Sequence, residues 1–146
     1  MRVSVIGGSS LTDTEYDVAE ELGRTLGDRG HDVVCGGLNG VMEAVAAGMA
    51  DTDGRAIGIL PGPDMEQANR YIDVPIATGL GNARNVLVVL NGDAAIAVDG
   101  GTGTLSEIAH ALDVGRPVAG LGTHNIEGVR AVDSPEEAVT YVESAI

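Results

Sequence analysis

The sequence predicts an α/β fold, a Rossmann-like three-layer arrangement in which a mainly parallel sheet carries helices on both faces. Three observations predict it. Short apolar runs of strand length alternate with stretches of helical spacing from one end of the chain to the other. The runs are almost continuously apolar, as in strands covered on both faces. Glycine-bearing turns at 7–10, 36–40 and 99–103 each follow such a run, and in parallel sheets the loops at the carboxyl ends of the strands share one edge.

The elements follow in order. Arg2 to Ile6 is a buried strand, and Thr12 with Glu15 has the spacing of a capping box. Val18, Ala19, Leu22 and Leu26 mark the face of a first helix that ends near Gly30. His31 to Cys35 is the second strand, followed by the loop Gly36 to Gly40 and a helix over Val41 to Ala50. Arg55 to Leu60 is the third strand, broken by Pro61-Gly62-Pro63. The segment Asp64 to Gly81 is the least regular. Within it Ile72 to Ala77 reads as a strand that Pro75 confines to a sheet edge. Asn82 to Leu90 reads as a helix ended by Asn91-Gly92, apolar all round at Val86 to Leu90, which predicts that it is covered by another copy of the chain. Asp93 to Val98 is a strand, 99–103 a glycine loop, and Leu105, Ile108, Ala109 and Leu112 mark a helix running to Gly115. Arg116 to Leu121 is the next strand and Gly128 to Val132 a short last one. Ser134, Pro135 and Glu137 form a helix start, carrying the chain to Ile146.

Composition sets limits. The 146 residues suit one domain, 1–146, large enough to bury about 68–70% of its unfolded surface. The core has to be aliphatic, since there is no Phe or Trp and only three Tyr. Cys35 is the single cysteine, which excludes an internal disulfide and fits a reducing cytoplasm. No apolar stretch approaches a membrane span, and Met1 opens on a strand rather than on a signal peptide. A soluble, cytoplasmic protein is expected. Twenty-two acids face eight bases, all of them Arg, for a net charge of −14. Such a charge argues against nucleic acid as a partner. With lysine absent, it suits a halophilic protein working in concentrated salt, where the Debye length falls to about 3 Å at 1 M.

The chemistry-bearing stretch is Asp99-Gly-Gly-Thr-Gly-Thr-Leu-Ser-Glu107. Three glycines in four positions bring backbone close to a ligand, and free N–H groups at the following helix start favour an anion such as phosphate. Thr102 and Thr104 add hydroxyls. Glu107 falls about one turn into the helix, where dipole and loop N–H groups favour its ionised form. The candidate phosphate-binding residues are Gly8, Ser9, Ser10, Gly36, Gly37, Asn39, Gly40, Gly100, Gly101, Thr102, Gly103 and Thr104, expected to line one pocket with Arg84 at its rim. None of these loops is a P-loop, which needs a lysine. Three histidines and Cys35 show no metal-ligand spacing, so no metal is expected. Met42 and Met49, seven apart on one helix, read as core packing, and Cys35 as a small apolar residue.

Cys-Gly-Gly-Leu-Asn-Gly-Val-Met-Glu at 35–43 and Asp-Gly-Gly-Thr-Gly-Thr-Leu-Ser-Glu at 99–107 resemble the paired GGGxxGxM and PGGxGTxxE motifs of the LONELY GUY (LOG) superfamily, and Gly8-Ser9-Ser10 is similar to its first loop. Gly-Val-Met-Glu-Ala, Ile-Gly-Ile-Leu-Pro-Gly and Ala-Arg-Asn-Val look like the molybdenum-cofactor-carrier-like branch of that superfamily. The resemblance implies a protein that binds a phosphorylated nucleotide or pterin, with a nucleotide or molybdopterin-type molecule as ligand, no required cofactor, and a homo-oligomeric state, dimer or tetramer. The alternative it implies is a nucleoside 5′-monophosphate phosphoribohydrolase that releases base and ribose 5-phosphate, with Arg84 and Glu107 at the catalytic positions. Three residues depart from the enzyme pattern. Asp99 replaces the motif's proline, Cys35 its first glycine, and Asn85 the lysine that follows the arginine. Some relatives carry a lysine-decarboxylase label, but pyridoxal phosphate chemistry needs a Schiff-base lysine and this chain has none.

Overall fold

The computed structural model describes residues 1–146. Seven strands form one sheet, β1 (Arg2–Gly7), β2 (Asp32–Cys35), β3 (Ala56–Leu60), β4 (Val74–Ala77), β5 (Ala94–Val98), β6 (Val118–Leu121) and β7 (Val129–Val132), in the order β4-β3-β2-β1-β5-β6-β7. Every neighbouring pair is parallel. The helices are α1 (Asp13–Asp28), α2 (Val41–Met49), α3 (Asn85–Leu90), α4 (Thr102–Asp113) and α5 (Pro135–Ser144).

Alternation along the strands sorts the side chains into two cores. Val3, Val5, Val33, Cys35, Ile96 and Val98 pack with α1, α2 and α5 on one face. Their neighbours Ile6, Val34, Ile57, Ile59, Ala95 and Ala97 pack with α3 and α4 on the other. Both cores are aliphatic, as the composition requires. α1 and α2 approach closely because Gly23 and Gly48 face the other helix's backbone; a Cβ at Gly48 would lie 1.9 Å from the Glu20 carbonyl oxygen. Ser4, wholly buried in β1, donates to the Val88 carbonyl at 2.7 Å and ties α3 to the central strand.

The local signals hold with small shifts. Thr12 and Glu15 form both arms of the capping box. Ser134 caps α5 with Pro135 at its first position, but Glu137 reaches back to the N–H of Asp133 instead of the cap's own. The expected helix over 82–90 is split into a 3-10 turn, Gly81–Arg84, and the six-residue α3. Arg84 ends the tight turn and so projects into the sheet edge instead of along a helix surface. On α3, Val88 and Val89 are buried and Leu90 is exposed. No helix is long and apolar enough to cross a membrane.

β1 lies at the centre, the chain winds outward to β4, then crosses to β5 on the other side of β1. The reversal falls between β1 and β5. A crevice at the carboxyl ends of those two strands is where doubly wound sheets take ligands.

Candidate functional site

A cavity of about 360 Å³ opens at that reversal. β1 contributes Gly7 and the loop residues Gly8 and Ser9. Gly36 and Leu38 come from the loop after β2, and Met42 from the first turn of α2. The turn before α3 supplies Asn82 and Arg84, α3 itself its first residue Asn85, and the start of α4 supplies Gly101, Thr102, Gly103, Thr104 and Glu107. Most candidate residues therefore converge. Five do not line it. Ser10 and Asn39 are exposed, and Gly37, Gly40 and Gly100 belong to the same loops without lining the cavity.

The glycine loops are packed against each other. Gly40 has φ +69°, and a Cβ there would sit 2.3 Å from the Gly8 carbonyl oxygen. That oxygen accepts from the Val41 N–H at 2.9 Å, so the loops after β1 and β2 are joined by backbone. Braces from outside hold the rest. Asn69 donates through Nδ2 to the Leu38 carbonyl at 2.8 Å, and its own N–H donates to Gly37 at 2.9 Å. Thr123 donates to the Asp99 carbonyl at 2.7 Å, and His124 Nε2 lies 3.0 Å from the Gly101 oxygen. Sequence reading missed these braces, because nothing in an isolated Asn, Thr or His marks which loop it will reach.

α4 begins with no side-chain cap on Gly101. Its first N–H groups, at Thr102, Gly103 and Thr104, have no backbone acceptor and open on the cavity. With the positive end of the helix dipole they form a receptor for an anion. Asp99 stands in a left-handed conformation, φ +50°. It lies outside this cavity and lines a separate hollow on the α1 side with Glu15 and Asp133. Its carboxylate also packs against the loop after β1, where a Cβ at Gly8 would meet Asp99 Oδ2 at 3.0 Å, so a negative charge stands beside that part of the cavity lining.

Arg84 is 7% exposed and forms part of the cavity wall, not the rim as expected. Its Nε donates to the Ile59 carbonyl at 2.8 Å, Nη2 to the Gly36 carbonyl at 3.4 Å, and Nη1 to Asn85 Oδ1. Gly36 is what makes room, since a Cβ there would meet Arg84 Nη2 at 2.7 Å and Met42 Sδ at 2.6 Å. Burial lowers the Arg84 pKa while Glu107 and Cys35 raise it; an arginine remains charged all the same. Of its five N–H donors, these three bonds leave two.

Glu107, in the second turn of α4, is 8% exposed. Burial pushes its pKa up from 4.5 to about 7, against the smaller downward pull of Arg84. The sequence leads one to expect dipole and loop N–H groups to favour its ionised form; no loop N–H bonds this carboxyl group, and burial shifts it the other way. No side-chain hydrogen bond of the chain ends on this carboxyl group, which faces the cavity. It can hold or release a proton near neutrality. Cys35, wholly buried behind Gly36, is pushed up to about 11 by burial and is no nucleophile. No group of three or more His, Cys, Asp or Glu side chains is placed to hold a metal ion.

The chain is similar to known proteins in sequence and in fold. The family model described as SLOG cluster4 family matches residues 1–145. A protein of Archaeoglobus fulgidus is 44% identical over 142 residues, 97% of this chain and 93% of that one. A probable cytokinin riboside 5′-monophosphate phosphoribohydrolase of Oryza sativa, LOGL9, is 31% identical over 135 residues, 87% of this chain and 60% of the rice protein. Among solved structures, the molybdenum cofactor binding protein of Rippkaea orientalis superposes with TM-score 0.91 at 35% identity, covering 99% of this chain and 96% of that one. The molybdenum cofactor carrier protein of Chlamydomonas reinhardtii gives TM-score 0.87 at 29% identity, covering 98% and 96%.

Proposed function

The chain belongs to the SLOG cluster4 family, and on that premise we propose that it is a carrier-like protein that binds a phosphorylated pterin or nucleotide at the β1–β5 crevice. The observation that carries this reading is the pairing of the uncapped α4 start with the buried Arg84, both open on one cavity. Two remaining guanidinium donors and three helix N–H groups suit the oxygens of a phosphate monoester. The amides of Asn82 and Asn85 are hydrogen-bonding groups suited to the polar edge of a pterin or base, and Leu38 and Met42 offer apolar surface to the ring. The likeness to two molybdenum cofactor binding or carrier proteins favours a pterin.

A mass-spectrometric survey of small molecules that leave with the native protein tests this. The expected result is a phosphorylated pterin or nucleotide in the wild type and its loss from Arg84→Gln. A wild type that carries only unphosphorylated compounds contradicts it.

One observation favours a second reading, hydrolysis of a nucleoside 5′-monophosphate. Glu107 is unbonded, faces the cavity and titrates near neutrality, as a general base does. The rice relative points the same way. Release of ribose 5-phosphate by the wild type, abolished in Glu107→Gln, would establish it. The carrier reading expects binding without base release, since Asp99 and Asn85 depart from the enzyme pattern beside the matched Arg84 and Glu107.

Self-association belongs to the same reading. Val74 and Ile76 on the edge strand β4, Leu80 just before the turn that leads into α3, and Leu90 at the end of α3 are exposed. We expect them to be covered in a homo-oligomer, which sedimentation would report as a mass above one chain.

A further inference from the structure

The cavity is lined by one cation and one carboxyl group, and the two do not meet. Arg84 and Glu107 both line it, and each shifts the other's pKa. Yet the ion pairs of the chain are Arg29–Glu136, Arg29–Glu143, His31–Glu143 and Arg55–Asp32. Opposite charges in a poorly solvated wall attract strongly, so a standing gap between them needs a cause.

Asn85 supplies one. Its amide oxygen accepts from Arg84 Nη1, while the Ile59 and Gly36 carbonyls take Nε and Nη2. All three acceptors are neutral, so the guanidinium is held without being neutralised. Asn85 is itself only 9% exposed, and its Nδ2 faces Gly103, whose added Cβ would lie 3.9 Å away. The amide nitrogen is therefore turned towards the start of α4, where the helix N–H groups open.

We propose that Asn85 is a positioning residue that holds the Arg84 guanidinium off the Glu107 carboxyl group, leaving the cation's remaining donors for a phosphate-type anion and offering its own amide nitrogen as a neutral donor beside them. The anion in this proposal rests on the binding reading above; the separation of Arg84 from Glu107 does not. Aspartate at this position would convert the contact into an ion pair and cancel the cation. Alanine would leave Nη1 without its acceptor and free the guanidinium to turn to Glu107.

The protonation of Glu107 reports the separation. Its shift has two causes, burial and Arg84. Cys35, the other titratable neighbour, stays neutral with a pKa of about 11. The experiment is a carboxyl-carbon NMR titration of Glu107, its signal assigned by its loss in Glu107→Gln. In the wild type the midpoint is expected near 7. In Asn85→Ala it should fall by about one pH unit or more, as the freed guanidinium stabilises the carboxylate. In Asn85→Asp it should rise, because Arg84 is then engaged elsewhere and a second negative charge stands nearby. Both shifts should vanish in an Arg84→Gln background, apart from the direct repulsion by Asp. Should Asn85→Ala fail to fold, the Asp variant and its Arg84→Gln partner decide alone. An unchanged midpoint in a folded variant, or an alanine shift that persists without Arg84, overturns the positioning role. A second arm titrates wild type and Asn85→Asp with adenosine 5′-monophosphate and inorganic phosphate by calorimetry, where the variant should bind at least about tenfold more weakly. A wild type that binds neither probe defeats the anion-binding half together with the reading it rests on, and the NMR midpoints still decide the other half.

Discussion

Replacing Glu107 by Gln should make the protein more stable, and only above the acidic range. A carboxyl group whose folded pKa lies above its unfolded value costs nothing while both states are protonated. The cost grows as pH rises past the unfolded value and is complete above the folded one. For Glu107 those values are 4.5 and about 7. At roughly 1.4 kcal/mol per pH unit the gap amounts to about 3 kcal/mol by pH 8, and to less than about 1 kcal/mol at pH 5. Gln keeps the shape and cannot ionise, so it escapes the cost. For a domain of this size that is on the order of 6–12 °C in melting temperature at pH 8. Thermal and urea unfolding of wild type and variant at pH 5, 6, 7 and 8 in constant salt would measure it. An advantage for Gln that does not grow with pH, or a variant less stable than wild type at pH 8, would refute the claim that desolvation sets this group's protonation. The destabilised carboxylate is the kind of cost that functional sites retain.

Three further outcomes follow from other parts of the molecule. Gly40→Ala should destabilise by about 2–4 kcal/mol, read by urea unfolding, because its Cβ would collide with the Gly8 backbone at 2.3 Å in a left-handed conformation. Cys35, buried and pushed up to about 11, should resist a thiol reagent at pH 8 until the protein unfolds, so that labelling tracks the unfolding transition; rapid labelling of the native state would show that the strand end is open. With a net charge of −14, the melting temperature should rise as KCl goes from about 0.1 M into the molar range, and a flat or falling curve would show that the acidic surface is not a salt adaptation.

The fold was legible because its signals are local and repeated. Val33 and Val34 sit side by side in sequence and enter opposite cores, and that alternation, flanked by glycine turns, is written in the chain. Thr12 and Ser134 mark helix starts for the same reason. The convergence of the loops after β1, β2 and β5 followed from parallel topology alone. Less was legible where geometry depends on contacts between distant segments. Arg84 was expected at the rim, but a 3-10 turn sinks it into the wall, and Gly36 clears its way. Ser10, Gly37, Asn39, Gly40 and Gly100 share the loops yet fall outside the lining, since a glycine needed for loop packing reads the same as one needed for a ligand. Asp99 is legible only as a replacement of the motif's proline; its left-handed backbone and its place between the α1-side hollow and Gly8 depend on the folded loops. Asn85 is legible only as a departure from an enzyme pattern; its bond to the adjacent Arg84 depends on the guanidinium being turned inward to the Ile59 and Gly36 carbonyls, which the sequence does not mark.

Paired calorimetric titrations address the anion receptor most directly. Wild type and Arg84→Gln would each be titrated with a phosphorylated compound and its dephosphorylated form, adenosine 5′-monophosphate with adenosine and a pterin phosphate with its pterin. The wild type should bind at least one phosphorylated form, and bind it at least about tenfold more tightly than its dephosphorylated partner, a difference of about 1.4 kcal/mol, and Arg84→Gln should erase most of that preference. Equal binding of phosphorylated and unphosphorylated forms, or a preference that survives the loss of Arg84, would contradict it.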